Sequence, residues 1–137
     1  KTPGAKSRDE SVYLPGRNIV FLSKAAVYAA LNDIPVIEIG VLKGNPFSDS
    51  TKVFFKKMQS VLSIGLNKPL TLSTPFSRLK KEEVLILGKR LALEVTFSCM
   101  NPKGYEHCGD CNKCTERKKA FFAAGILDKT RYKKQGI

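Results

Sequence analysis

Apolar residues along this chain follow two alternating rhythms: short unbroken runs, and stripes that recur every three or four positions. The run RNIVFLS at 17–23 is β-branched and aromatic, which predicts a short buried strand. In KAAVYAALND, Ala26, Val27, Ala30 and Leu31 recur at helical spacing. A helix is therefore expected over 24–33, with Ser23 as its N-cap and Pro35 stopping it. PVIEIGV at 35–41 has the continuous apolar character of a strand in a parallel sheet. GNPFSDS reads as a turn in which Asp49, Ser50 or Thr51 can cap the next helix, KVFFKKMQSVLSIG at 52–65. That helix places Phe54, Met58, Val61 and Leu62 on one face and ends at Gly65.

PLTLSTP at 69–75, bounded by two prolines, predicts a third strand. SRLKKEEVLILGKRLAL at 77–93 predicts a third helix with Leu79, Val84, Leu87 and Leu91 inward. TERKKAFFAAG at 115–125 predicts a last helix closed by Gly125, and Phe54, Phe55, Phe121 and Phe122 read as core. Residues 1–16 are polar, with Pro and Gly at both ends, and read as a loop; the basic tail over 127–137 is expected to be loose.

Strands alternating with helices over short connections predict an α/β fold, a parallel sheet with flanking helices. Ligands of such sheets sit beyond the carboxyl ends of the strands, which directs attention to PGRN with FLSK, to GNPFSDST and to TPFSRLKK. Nothing in the 137 residues repeats internally, and 42% hydrophobic content is too high for a disordered basic tail. The apolar runs are short, broken by Ser23, Lys24 and Glu38, so a membrane span is excluded. No charged-then-apolar segment opens the chain, which begins at Lys1, so it reads as a non-secreted piece of a longer protein. Lys and Arg number 24 against 12 Asp and Glu, a formal charge of +12. Seven of those cations lie in 115–137 against two acids, which keeps a nucleic-acid-binding module in view. Against that reading, the lysines are scattered and aromatic residues are not interleaved with them.

Four cysteines sharpen the picture. Cys99, Cys108, Cys111 and Cys114 follow the spacing Cys-x8-Cys-x2-Cys-x2-Cys, with no cysteine elsewhere. A secreted disulfide scaffold spreads its cysteines to staple distant loops, so the cluster predicts a cytoplasmic protein. Four thiolates suit the tetrahedral preference of Zn2+, and closure by four protein ligands marks a structural site. A redox Cys-x-x-Cys pair and an iron–sulfur cluster are the alternatives. Cys111 and Cys114 can straddle the start of the last helix, and Gly109 permits a backbone turn between ligands. The only histidine, His107, adjoins Cys108 and could replace one ligand. With the metal bound, four thiolates and Zn2+ reduce the net charge to about +10.

The segment TFSCMNPKGYEHCGDCNKCTERKKAFFAAGILD resembles the carboxyl-terminal signature of the 7-cyano-7-deazaguanine synthases, T-[WF]-S-C followed by C-G-x-C-x-x-C-x-x-R-x-x-A-F-x-x-A-G-x-x-D. LPGRNIVFLSKAAVYA is similar to the family's PGRN-x-x-F-L-S-x-A, and KPLTLSTPFSRLKKEEVLILG resembles its P-L-x-x-(x)-K-x-E-[IV] segment. The resemblance implies the adenine-nucleotide α-hydrolase-like, ATP-pyrophosphatase fold, Rossmann-like, with 1–137 as the carboxyl-terminal portion of one domain and 96–128 as its zinc-binding subregion. It implies an ATP-dependent ligase, with Mg2+ accompanying ATP. That enzyme activates the carboxylate of 7-carboxy-7-deazaguanine, captures ammonia, then activates and dehydrates the amide to the nitrile on the way to queuosine. A homodimer is compatible with it.

Carried over residue by residue, the resemblance implies substrate or ATP contacts at Arg17, Asn18, Ser23, Asp49, Lys81 and Arg117, and metal ligation by the four cysteines; Asn45 is a further candidate from its place in the loop at the carboxyl end of the 35–41 strand. Arg17 and Asn18 would sit in a turn entering the first strand. Ser23 either contacts ligand or caps its helix, and Asp49 does the same or caps the next one. Lys81 shares its helix with the equally available Lys80. Arg117 either bonds the zinc sulfurs or reaches a phosphate. Two departures stand out. The family's phosphate loop S-G-G-x-D-S is absent, since none of the ten glycines adjoins another. The family's D-Y-S-G-Y-P-D-C-R segment is replaced by GNPFSDST, which opens the alternative of a different carboxylate substrate.

Overall fold

The structure is a computed structural model and describes residues 1–133. These residues form two compact units, one of residues 13–79 and the other of residues 1–12 with 80 onward. The first unit contains α1 (Arg17–Leu31), β1 (Val36–Glu38), α2 (Lys52–Leu66) and β2 (Thr71–Ser73). The second contains α3 (Lys81–Leu87) and α4 (Asn112–Ala124).

β1 and β2 pair in parallel, with Val36 opposite Thr71, Ile37 opposite Leu72 and Glu38 opposite Ser73. Flanking bonds from the Thr71 amide to the Pro35 carbonyl and from the Ile39 amide to the Ser73 carbonyl, both 2.9 Å, lengthen the ladder. Among the described residues the sheet thus has two strands, and the first of the three expected, over 17–23, is the start of α1. Gly16 takes a φ of 72°, a left-handed conformation that costs glycine nothing, and the helix begins at Arg17. Asn18, Leu22, Ala26 and Ala29 are its buried positions, a spacing of four, four and three. Ile19, Val20 and Phe21 are exposed, so β propensity yields to helical period. Ser23 is consequently no N-cap: from mid-helix its Oγ donates to the Ile19 carbonyl at 2.8 Å.

Leu22, Val41 and Phe55 form one core cluster with Ile37, Phe54, Met58, Leu62 and Leu72 against it. Ala26, Ala29 and Leu70 form a second, where small side chains let α1 lie close to the sheet. Val27, Leu31 and Val61, expected inward, are exposed. Thr51 caps α2, its Oγ accepting from the Phe54 amide at 3.1 Å. The helix runs past Gly65 to Leu66 and ends on Asn67, whose φ of 50° supplies the left-handed stop.

In the second unit the expected long helix over 77–93 shortens to α3. It starts where the Glu83 carboxylate accepts from the Lys80 amide at 2.7 Å and stops at Gly88. Leu87 and Leu91 are exposed. α4 begins three residues before the expected 115, with Cys111 at its N-cap, and Gly125 closes it at a φ of 65°. Phe121 is buried there, whereas Phe122 is 89% exposed and is not core. Within the tail, residues 127–133 are tied down by Thr130 and Tyr132, contrary to a loose reading, and 134–137 lie outside the described residues. Among the described residues no helix is long and apolar enough to cross a membrane.

Candidate functional site

The four cysteine sulfurs lie within 4.8 Å of one another, and Cys108, Cys111 and Cys114 are buried. All four are free thiols, with Cys108 and Cys114 sulfurs 3.9 Å apart. A tetrahedron of zinc–thiolate bonds of about 2.3 Å has edges of about 3.8 Å, so the cluster has the dimensions of a four-thiolate metal site. Gly109, with a φ of 84°, makes the turn between the second and third ligands.

The Asn101 and Cys108 amides donate to the Cys99 sulfur at 3.3 and 3.2 Å. Burial pushes the Cys108 thiol up to about 11 and raises Cys114. Burial opposes ionisation of Cys111 as well, but the Met100 and Cys114 amides and neighbouring thiols outweigh it, leaving Cys111 at about 7. Cys111 thus ionises readily, whereas Cys108 and Cys114 resist. A divalent cation held by the four sulfurs would relieve that frustration by stabilising their charges together.

Residues 1–12, read from sequence as a plain loop, clamp this centre. Gly4 forms an antiparallel bridge with Cys111, the Asn112 amide donates to the Pro3 carbonyl at 3.0 Å, and the Asn112 side-chain amide donates to the Ser7 carbonyl at 2.8 Å. No local pattern in 1–12 signals a partner 105 positions away. His107 is not part of the sulfur cluster. Its Nε2 accepts from the Ser98 amide at 3.2 Å, and burial holds its pKa below the usual value.

Arg117 is buried, and each guanidinium nitrogen has an acceptor: Thr130 Oγ1 at 3.0 Å, Thr96 Oγ1 at 2.8 Å and the Leu93 carbonyl at 2.7 Å. No sulfur is among these partners. Asp128 lies 3.9 Å from Nε and also accepts from the Thr130 amide and the Tyr132 hydroxyl. Burial opposes ionisation of Asp128, yet Thr130, Tyr132 and Arg117 together lower its pKa. The arginine of the Cys-x-x-Arg element therefore ties the tail and the 93–96 turn to α4.

Lys81 extends to Glu116 on α4 at 2.7 Å, and Lys113 reaches the other carboxylate oxygen at 2.6 Å. Lys80 instead lies 3.9 Å from Glu82. Burial raises the Glu116 pKa, but its bonds to Lys113 and Lys81 prevail, so the net shift is downward from 4.5. Its contribution is complete above the unfolded value and is lost as pH falls through the folded one. Glu116→Gln is expected to lower stability at neutral pH and to converge with the unsubstituted protein as pH falls below about 4.5, which flattens the acid limb of the profile, as followed by urea denaturation at stepped pH.

In the first unit, Asn18 and Asp49 come together. The Asn18 amide donates to Asp49 Oδ2 at 3.0 Å, and the Asn18 side chain donates to the Asp49 carbonyl at 2.8 Å and to Ser50 Oγ at 3.2 Å. Asp49 thus caps α1 from across the chain and not the helix that follows it, which Thr51 caps. Arg17 begins α1 and is not in a turn entering a strand. Asn45 Oδ1 accepts from the Phe47 amide at 3.1 Å, and Phe47 stacks on Tyr13 with centroids 4.9 Å apart. Asp49→Ala is expected to destabilise the protein by about 1–3 kcal/mol, because the buried Asn18 amide loses its acceptor. Asp49→Asn, which keeps an acceptor, should cost less in the same denaturant series.

The chain matches the family model described as queuosine biosynthesis protein QueC over residues 3–125. It is 35% identical over 134 residues to the 7-cyano-7-deazaguanine synthase of Methanocaldococcus jannaschii, covering 90% of this chain and 58% of that protein. Over 127 residues it is 35% identical to the Methanobrevibacter smithii protein of the same name, covering 89% and 55%. To that of Leptospira interrogans it is 34% identical over 133 residues, covering 90% and 55%. The chain therefore spans somewhat more than half the length of these relatives.

Proposed function

This chain belongs to the queuosine biosynthesis protein QueC family, and on that premise we propose that it is the carboxyl-terminal portion of a 7-cyano-7-deazaguanine synthase. The observation that carries the reading is the ordered match across residues 3–125, which takes in the cysteine cluster and all the candidate loops. The proposed fold is the Rossmann-like ATP-pyrophosphatase fold, with residues 1–137 as part of a single domain and 96–128 as its metal-binding subregion. The protein is proposed to act in the cytoplasm on a small carboxylate, ATP with Mg2+, and ammonia.

A carboxylate is a poor electrophile because its charge repels a nucleophile and oxide is a poor leaving group. Transfer of an adenylyl group to one carboxylate oxygen converts it into a phosphate-type leaving group and releases pyrophosphate. Ammonia then displaces AMP to give the amide. A second adenylylation, on the amide oxygen, followed by loss of AMP and protons gives the nitrile. Such chemistry calls on positioning and charge stabilisation more than on acid–base side chains, which suits a chain with one histidine.

Arg17, at the first turn of α1, is proposed to hold a phosphate or carboxylate, and Asn18 with Asp49 to fix that turn. Ser23, Asn45 and Lys81 are proposed further contacts. The phosphate loop missing from this sequence is assigned to the remainder of the protein. Zn2+ is the proposed ion of the four-cysteine site; when bound it cross-links the loop to α4, and with four protein ligands it keeps no open position for substrate.

The test uses full-length protein with 7-carboxy-7-deazaguanine, ATP, Mg2+ and ammonium, with products identified by mass spectrometry. The nitrile with AMP and pyrophosphate is the expected result. Retention of RNA at high salt with no acid-dependent ATP consumption would overturn it in favour of a basic nucleic-acid-binding module. Acid-dependent consumption with other carboxylates only would mark a related enzyme of different substrate.

A further inference from the structure

Beside the cysteine cluster, the second unit contains a cavity of about 350 Å³, within the size range of small-molecule sites. The residues that line it include the aromatic Phe97, Tyr105 and His107, the basic Lys129 and Arg131, and the acidic Glu94. Phe97 is 56% exposed and Tyr105 fully so. Exposed aromatic rings are unremarkable singly, but two on one concave wall provide a stacking surface.

The wall is held in place. The Phe97 and His107 rings lie 4.4 Å apart, His107 meets Tyr132 edge-on at 5.5 Å, and the Ser98 amide bonds the imidazole. The His107 amide donates to the Arg131 carbonyl at 3.1 Å, and the Lys133 amide donates back to the His107 carbonyl at 2.8 Å. Thr130, between the two cations, is buried and receives Arg117. The cationic segment 129–131 is thereby fixed to the loop that carries the cysteines.

We propose that this cavity binds a planar aromatic carboxylate, with its ring on Phe97 and Tyr105 and its acid group on Arg131 and Lys129. The guanidinium fork matches a carboxylate in two parallel bonds. Glu94 on the same wall discriminates against polyphosphates and accepts from a ligand edge with two adjacent N–H donors, as a guanine-type ring presents. A flat molecule with such an edge and an acid group is the deazaguanine acid of the proposed reaction. That particular occupant rests on the function proposed above, whereas the aromatic-carboxylate class rests on the cavity.

The test is calorimetric titration of full-length, metal-bearing protein with 7-carboxy-7-deazaguanine, indole-3-carboxylate and ATP, using Phe97→Ala, Arg131→Gln and Glu94→Gln variants of unchanged metal content and circular dichroism. Phe97→Ala and Arg131→Gln are expected to weaken both acids about 10-fold. Glu94→Gln is expected to weaken the deazaguanine acid about 10-fold and leave indole-3-carboxylate unchanged. Failure of both acids to bind, binding indifferent to Phe97 and Arg131, or a loss of ATP affinity alone would each overturn the proposal. If only indole-3-carboxylate binds with this dependence, the cavity assignment stands and the deazaguanine substrate falls. If the nitrile forms with an unchanged KM in Phe97→Ala and Arg131→Gln, the synthase stands and the cavity assignment falls.

Discussion

Chelation of the metal is expected to unfold the second unit, with loss of α4 helicity and a large fall in Tm. Three of the four ligands are buried, and the centre joins the 99–108 loop, the α4 N-terminus and the 3–7 segment. Structural zinc in comparable four-ligand sites contributes about 10–16 kcal/mol to folding, comparable with the entire stability of an ordinary domain. Metal analysis should return one zinc per chain. Cys114→Ser should mimic the chelator, since Cys114 is completely buried and its loss leaves a three-thiolate site. Circular dichroism and hydrogen exchange across 112–124 provide the readout. An unchanged Tm after complete metal removal would show that protein packing alone supports the loop.

The second large effect concerns Arg117. Arg117→Met is expected to cost about 3–5 kcal/mol, because it leaves the half-buried Asp128 carboxylate without its cation and removes donors from Thr96, Thr130 and the Leu93 carbonyl. Arg117→Lys should recover little of this, since one ammonium cannot reach three acceptors held in a planar fork. Urea denaturation of full-length protein measures the loss. Should Arg117→Met retain its stability while losing acid-dependent ATP consumption, Arg117 would be a ligand contact and not the tie that fixes the tail.

The cysteine centre was legible because its ligands are close in sequence and their chemistry is distinctive: spacing alone located the cluster, the Gly109 turn and the straddled start of α4. The βαβ arrangement was legible too, through PVIEIGV, PLTLSTP and the stripe between them. Residues 17–23 misled because an unbroken apolar run carries no period; Asn18, a polar residue, occupies a buried position of the helix and conceals its stripe. Val61, Leu87 and Phe122 look inward by type, yet they are exposed, and an apolar residue's type does not fix its burial. The long-range ties were invisible in sequence. Asp49 caps a helix 31 positions away, and Asn112 holds a segment 105 positions away, distances at which no local motif operates.

Oxygen tracing tests the central claim, carboxylate activation, most directly. Full-length protein is given 7-carboxy-7-deazaguanine labelled with 18O in both carboxyl oxygens, unlabelled ATP and ammonium. Two successive adenylylations place one labelled oxygen in each of two AMP molecules per nitrile formed, with pyrophosphate unlabelled. Label in inorganic phosphate, or nitrile formation without labelled AMP, would contradict that account.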